Sequence, residues 1–409
     1  MVLWQKKCVR KRPLLLWAAI LAALVIAVVC GCGGGSGGNI LYALGLGSPS
    51  VRILQISSAG ALIGIDSVST GASPNAMAID PLVRFAYVLS SSGGVGLGGV
   101  SQYVVGKGGR LTVATFSSTG GTGAASTPVV TGTNPAAIVE DTSGLYVFVA
   151  SRGTNPVNPS CSPITVLCGP SISVFAVDQV GGTLLEVKQP ISGTPPPNCL
   201  PNQPDPCPLG IPAAPNALAT TGKLLLVAVP GTGQVSAYPF NSSGVLDTTN
   251  VVTTTVGGSP SAMALDPSGK FVFVTDPAAN TVAAFSIGSS GALTAVGSPV
   301  ATGTTPVSVH VQPSGNFLYT ANRGSGDISA FSLNSSGALS PLSGSPFTVL
   351  PGNTPTYVTS GGSGTFLFVA NGGTNNITVF AVDSSGALKQ VTGSPFASGV
   401  LNPIALASP

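Results

Sequence analysis

Hydrophobic and polar positions alternate along this chain in short bursts, each closed by a turn. From Ser259 the pattern reads SPSAMALDPSGKFVFVTDPAANTVAAFSIGSSGALTAVG. It returns from Thr305 as TPVSVHVQPSGNFLYTANRGSGDISAFSLNSSGALSPLSG and from Thr354 as TPTYVTSGGSGTFLFVANGGTNNITVFAVDSSGALKQVTG. The repeat is about 47 residues long, which marks an architecture built of stacked units. Each unit predicts four strands, because residues alternate with period two between turn signals spaced eight to twelve positions apart. A first strand of small residues follows a Pro. A turn such as Asp266-Pro267-Ser268-Gly269 places Pro and Gly where a type I turn takes them. Then come FVFVT, a polar turn, TVAAFSI, a Ser-Ser-Gly turn, and a short strand opening in Ala-Leu.

Counting the markers fixes the number of units. The Leu that opens the fourth strand recurs at Leu62, Leu111, Leu184, Leu246, Leu293, Leu339 and Leu388. The Pro that opens the first strand recurs at Pro74, Pro135, Pro215, Pro260, Pro306, Pro355 and Pro403. The two series are out of phase, so the repeats begin at a second strand (Asn39 to Leu44) and end at a first strand (Asn402 to Ala407). One unit is therefore shared between the two ends, and pairing them closes a ring with no exposed strand edge at the seam. The fold predicted is all-β, a seven-bladed β-propeller of four-stranded antiparallel blades over residues 39–409. Three places after each Pro stand Met77, Ile138, Leu218, Met263, Val309, Val358 and Leu406, the expected core. One place further stand Ala78, Val139, Ala219, Ala264, His310, Thr359 and Ala407, where His310 departs from the column.

Composition narrows the class. Only 7% of residues are charged and 44% are hydrophobic, with 55 Gly and 35 Pro, which excludes a disordered polyelectrolyte. Glu occurs only at 140 and 186, and helix formers are scarce, so a helical bundle is excluded too. The formal charge of +3 belongs to the first residues: Lys6, Lys7, Arg10, Lys11 and Arg12 precede an uncharged run from Leu14 to Val29. As a helix that run rises about 24 Å, short of a bilayer core, and it reads as an export signal, with an uncleaved anchor as the alternative. Beyond residue 31 remain ten basic and twelve acidic groups, so the rest of the chain offers no basic stripe for nucleic acid. Both tryptophans, Trp4 and Trp17, lie in the leader, which excludes a propeller of the tryptophan-aspartate type. The sequence Val29-Cys30-Gly31-Cys32 resembles a bacterial lipobox. It implies cleavage before Cys32, with Cys30 as an alternative, and lipid on the new N-terminal thiol. Domain boundaries follow as a signal peptide at 1–31, a Gly-rich tether at 32–38, and the propeller. An exported protein held to the membrane by lipid, on the periplasmic side or the cell surface, is the expectation.

The segments YVFVASRG, FVFVTD, FLYTANRG and FLFVANGG, each followed by a strand and a Ser-Gly-x-Leu turn, resemble the YVTN-type repeats of the seven-bladed lactonase family, which includes 6-phosphogluconolactonases. The resemblance implies chemistry on a lactone at the mouth of the central channel, with His, Glu and Arg as site residues. Asn322-Arg323-Gly324 matches the family's Asn-Arg-Gly, and Ser151-Arg152-Gly153 matches it in part. The Pro-Arg-His first strand has no counterpart, since the residues two after each Pro are Ala76, Ala137, Ala217, Ala262, Ser308, Tyr357 and Ala405. His310 lies two places beyond.

Loops joining second to third and fourth to first strands emerge on one face. Arg152, Arg323 and two insertions, 151–170 and 189–214, belong there. The insertions carry Cys161, Cys168, Cys199 and Cys207, which in an exported protein favour two disulfides over a metal site. Arg323 and His310 are the candidate catalytic residues, with Arg152 and Asn322 as binding residues; a guanidinium clamps a carboxylate or phosphate, and an imidazole moves protons near neutral pH. Asp80, Asp141 and Asp266 read as turn residues. No phosphate loop or HExxH is present and no Gly-x-Ser-x-Gly elbow stands with a triad, and no cofactor is expected. The missing His and Glu favour a monomeric module that binds a glycan, a protein or a small lactone; the alternative is a lactone hydrolase.

Overall fold

The first strand of every repeat pairs with its own second strand, and these seven innermost strands touch one another in sequence around a closed circle. The computed structural model describes residues 39–91, 97–115, 128–153, 169–189, 208–349 and 353–409. Seven antiparallel sheets result, each ordered from inside out as first, second, third and fourth strand. Blade 1 is the shared one. Ile40–Gly45 pairs on one side with Ser48–Ile56 and on the other with Pro403–Ala407, Ala43 facing Leu406. The Ser408 hydroxyl adds a hydrogen bond to the Ile40 carbonyl at 2.9 Å. Blades 2 to 7 then follow in chain order, with first strands at Pro74–Ile79, Pro135–Glu140, Ala217–Thr220, Ala262–Leu265, Pro306–Val311 and Pro355–Ser360.

One feature differs from the four-strand reading. In five blades the chain returns after its fourth strand and adds a short piece to the other half of the third strand. In blade 5, for instance, Leu293–Ala295 pairs with Phe285 to Ile287 and Val300–Ala301 with Thr281 and Val282. The outer edge is thus built in two pieces, with Gly-Ser-Pro between them in blades 5, 6 and 7. In blade 4, Leu246 makes only an isolated bridge with Phe240, and Val252–Thr255 is the outer strand.

Packing between blades explains the Ser-Gly-x-Leu signal. The first residue of each second strand lies on the positive-φ Gly of the next blade's third-to-fourth turn: Phe317 on Gly386, Phe271 on Gly337, Phe366 on Gly60, and so around the ring to Ile40 on Gly109. At Gly386 the φ is 82° and an added Cβ would come within 2.3 Å of the Phe317 ring, so both backbone and neighbour require glycine. Beside these contacts, Tyr42 and Tyr319 donate hydroxyls to the carbonyls of Gly109 and Gly386 at 2.7 and 2.9 Å. The expected core column is buried at Leu218, Val309, Val358 and Leu406 and half-buried at Met77, Ile138 and Met263.

Candidate functional site

Arg152 and Arg323 occupy one place in the repeat, directly after a second strand. The Arg152 N–H donates to the Asn134 carbonyl at 3.0 Å, and the Arg323 N–H to the Thr305 carbonyl at 2.9 Å. Each second-to-third turn is thereby stitched to the loop that enters its own blade, which puts both side chains on one face at the channel mouth. They stand in blades 3 and 6, three places apart in a ring of seven.

Their surroundings differ. Arg152 reaches into blade 4 and donates through Nη2 to the Asn216 Oδ1. Asn216 in turn donates to the Ser261 carbonyl at 2.7 Å. This belongs to a belt around the axis, in which the residue after the Pro bonds to the next blade: Asn75 to the Pro135 carbonyl, Ser261 to that of Pro306, Thr356 to that of Pro403. Crowding by this rim lowers the Arg152 pKa, although the side chain keeps solvent contact. Arg323 is exposed, and its guanidinium makes no hydrogen bond or ion pair among the described residues, whereas Arg84 pairs with Asp80 and Arg110 with Asp66. On the same face, in neighbouring blade 5, lies a cavity of about 290 Å³ lined by residues including Pro260, Asp276, Thr281 and Pro299.

Asn322, a candidate binding residue, has its polar atoms engaged within the fold. It is fully buried, and its amide donates to the Asp327 carboxylate at 2.6 Å and to the Ser329 hydroxyl at 2.8 Å. Asn371 repeats this in blade 7, toward Asn376 at 2.7 Å and Thr378 at 2.9 Å. The Asn of the repeat is a joint that holds the following turn.

His310 is not brought to Arg323. It pairs with Tyr319, and Arg323 lies four residues further along that neighbouring strand, about 13 Å away by strand rise. Its Nε2 is 2.8 Å from the hydroxyl of Ser360 in blade 7. Burial pushes the imidazole down to about 4, so it is neutral at neutral pH. The two residues therefore form separate environments at the two halves of the channel wall.

Asp80, Asp141 and Asp266 cap their turns as expected: Asp141 accepts from the Ser143, Leu145 and Tyr146 N–H groups, Asp266 from those of Ser268 and Phe271, and Asp80 holds Arg84 at 2.7 Å. Sequence reasoning missed Glu140. It ends the first strand of blade 3 with 8% exposure, and neither carboxylate oxygen has a hydrogen-bond partner. Burial, and then the charges of Asp80 and Asp141, push its pKa up to about 8. The one available signal was its place: the corresponding residues in the other first strands, Ile79, Thr220, Leu265, Val311, Ser360 and Ser408, are all uncharged. Cys32, Cys161, Cys168, Cys199 and Cys207 lie outside the described residues. Among those described, no group of His, Cys, Asp and Glu is placed to hold a metal, and no helix is long and apolar enough to cross a membrane.

A closed seven-bladed propeller with a polar, arginine-bearing mouth is the class that fold and site define. Residues 225–347 match the family model described as lactonase, 7-bladed beta-propeller. Over that stretch the chain resembles the lactonase propellers, in line with the resemblance read from its repeats. Among solved structures it is similar to a periplasmic gluconolactonase from Pseudomonas aeruginosa, at 20% identity and a TM-score of 0.66, covering 90% of this chain and 100% of the other. It is similar also to a Bacteroides fragilis protein provisionally named a 6-phosphogluconolactonase, at 20% identity and TM-score 0.65, covering 90% and 98%. A Lactobacillus plantarum protein gives 17% identity and TM-score 0.67, covering 90% and 98%. No curated protein matches the chain.

Proposed function

We propose that the protein is an exported lactone hydrolase acting on a sugar-derived lactone at the arginine-bearing mouth. The family match over residues 225–347 carries this reading, because that stretch includes Arg323. Hydrolysis of a lactone passes through a tetrahedral oxyanion, and a guanidinium without an internal partner stabilises such an anion or holds a substrate phosphate or carboxylate. The nearest carboxylate in the same turn is Asp327. Its Oδ1 is taken by Asn322, and its Oδ2 is free of hydrogen bonds among the described residues, so it serves to orient the attacking water. The cavity in blade 5, on the same face, has the volume for a monosaccharide. Lipid attachment at Cys32 and export remain part of this proposal, supported by the leader's pattern and by the periplasmic source of one structural neighbour.

A second reading, a binding module without turnover, is favoured by one observation: His310 and Arg323 stand apart, and no histidine reaches the mouth. One assay separates the two. Gluconolactone and its 6-phosphate are offered to the purified protein and to Arg323→Ala, with folding checked by circular dichroism. Hydrolysis above the spontaneous rate, reduced at least tenfold in the variant, is expected. A rate equal to buffer from folded protein overturns the hydrolase and leaves the module.

A further inference from the structure

Buried polar atoms without a partner are unevenly spread. Among the described residues, all but Asn353 Nδ2 and Asn371 Oδ1 belong to blades 2 and 3. Three are the hydroxyls of Ser151, Ser171 and Ser173, each fully buried. Leaving a buried hydroxyl unpaired costs about 1–3 kcal/mol, so three together call for an occupant.

The sister blades show what fills this place. Ser151 pairs with Ser171 as Asn322 pairs with Asp327 and Asn371 with Asn376. Ser173 stands two residues on, as do Ser329 and Thr378. In blades 6 and 7 the carboxamide nitrogen of the Asn donates to both of these partners. In blade 3 the same two partner positions are hydroxyls, while the Asn is shortened to a Ser that cannot span to them. The backbone of Gly132 in blade 2 closes the space from the other side. A Cβ added there would lie 2.5 Å from the Ser171 Oγ and 2.9 Å from the Ser151 Oγ, which shows that these two hydroxyls approach one spot, while Ser173 holds the place from which Ser329 and Thr378 reach the Asn nitrogen in the sister blades.

We propose that Ser151, Ser171 and Ser173 form a binding site for one ordered water between blades 2 and 3, standing where the sister blades place the Asn carboxamide nitrogen. A water satisfies about three partners in a buried polar site, the number offered here, and neutral hydroxyls with no carboxylate among them select water over a cation. The water replaces a covalent strut with a solvent-mediated one directly beneath Arg152, the next residue in the chain. This corner of the mouth, unlike that at Arg323, is then held through a molecule that can exchange.

The test is a high-resolution crystal structure of the full-length protein beside that of Ser151→Asn. A wild-type density peak within hydrogen-bond distance of at least two of the three hydroxyls, lost in the variant as the new carboxamide nitrogen takes its position, is expected. Three hydroxyls with no peak between them, or reached by a side chain from elsewhere in the chain, overturn the proposal from the wild type alone. A peak that survives beside the introduced carboxamide overturns it as well.

Discussion

Glu140→Gln is expected to make the protein less sensitive to pH, with a sign fixed by burial. In the fold the Glu140 carboxyl has no donor and titrates at about 8, against an ordinary value of 4.5. Below that ordinary value it is protonated in both folded and unfolded chains and costs nothing. Between 4.5 and 8 the unfolded chain releases the proton while the folded one keeps it. Stability therefore falls as pH rises, by about 1.4 kcal/mol per pH unit, to a total of about 5 kcal/mol. Glutamine keeps the shape and cannot ionise, so this loss disappears. His310 works in the opposite direction: its depressed pKa gives stability that is present above the ordinary 6.5 and lost as pH falls toward 4. In the wild type the two slopes cancel between roughly 4.5 and 6.5, and a net decline follows from 6.5 to 8. Asp80 does not disturb this window; burial opposes its ionisation, but its bonds from Arg84 outweigh that and hold its pKa low. The assay is urea unfolding of both proteins at half-unit steps from pH 5 to 8.5. Because His310 is common to both, the difference between them isolates Glu140, and it should widen by several kcal/mol toward alkaline pH. Parallel curves would refute the reasoning, since they require Glu140 to ionise as readily inside the fold as outside it.

Two further pairs of variants separate structure from site. Tyr319→Phe strands the Gly386 carbonyl and should cost about 1–2 kcal/mol in urea unfolding, whereas Tyr87→Phe removes a buried hydroxyl that has no partner and should be neutral or stabilising; equal losses would contradict the assignment. Gly386→Ala should cost about 2–4 kcal/mol, because it combines a positive φ with the Phe317 ring, while Gly297→Ala, with φ at 71° and nothing within 4 Å, carries only the backbone share of about 1 kcal/mol. If thermal melts place both variants together, the contact between Phe317 and the turn does not stabilise the ring.

The ring was readable because its markers have local physical causes. A Pro fixes the entry of each first strand, and the Gly of Ser-Gly-x-Leu is demanded by its φ and by a large apolar side chain, in most blades an aromatic, from the preceding blade. Both recur wherever the same joint recurs, so counting them counts blades. The split outer edge was not readable, because its returning piece is two residues long in most blades, too short for any periodicity. The site was read less well for a related reason. Asn322 looked like a ligand-binding residue next to Arg323, but a polar residue that recurs in a repeat is more often holding the repeat together, as Asn371 does in blade 7. Glu140 was overlooked because a single carboxylate gives no pattern, and only the structure shows that no donor meets it.

Repetition supplies the argument that remains. Seven near-identical joints make a rigid, closed scaffold, and what all blades share serves the scaffold. Specific chemistry has to come from positions where one blade departs from its sisters. Arg152 and Arg323 are such departures at the mouth, where the equivalent positions in blades 2 and 7 are Ser91 and Gly372. Glu140 and Ser151 are departures too, but they are buried, and His310, half-buried, stands further down the channel wall against Ser360. A substrate arriving from solvent meets only the first group. Turnover should therefore respond to the arginines, while changes to His310, Glu140 and Ser151 should register first in stability. An activity that tracked His310 and ignored both arginines would move the site down the channel, to the half of the wall where His310 meets Ser360.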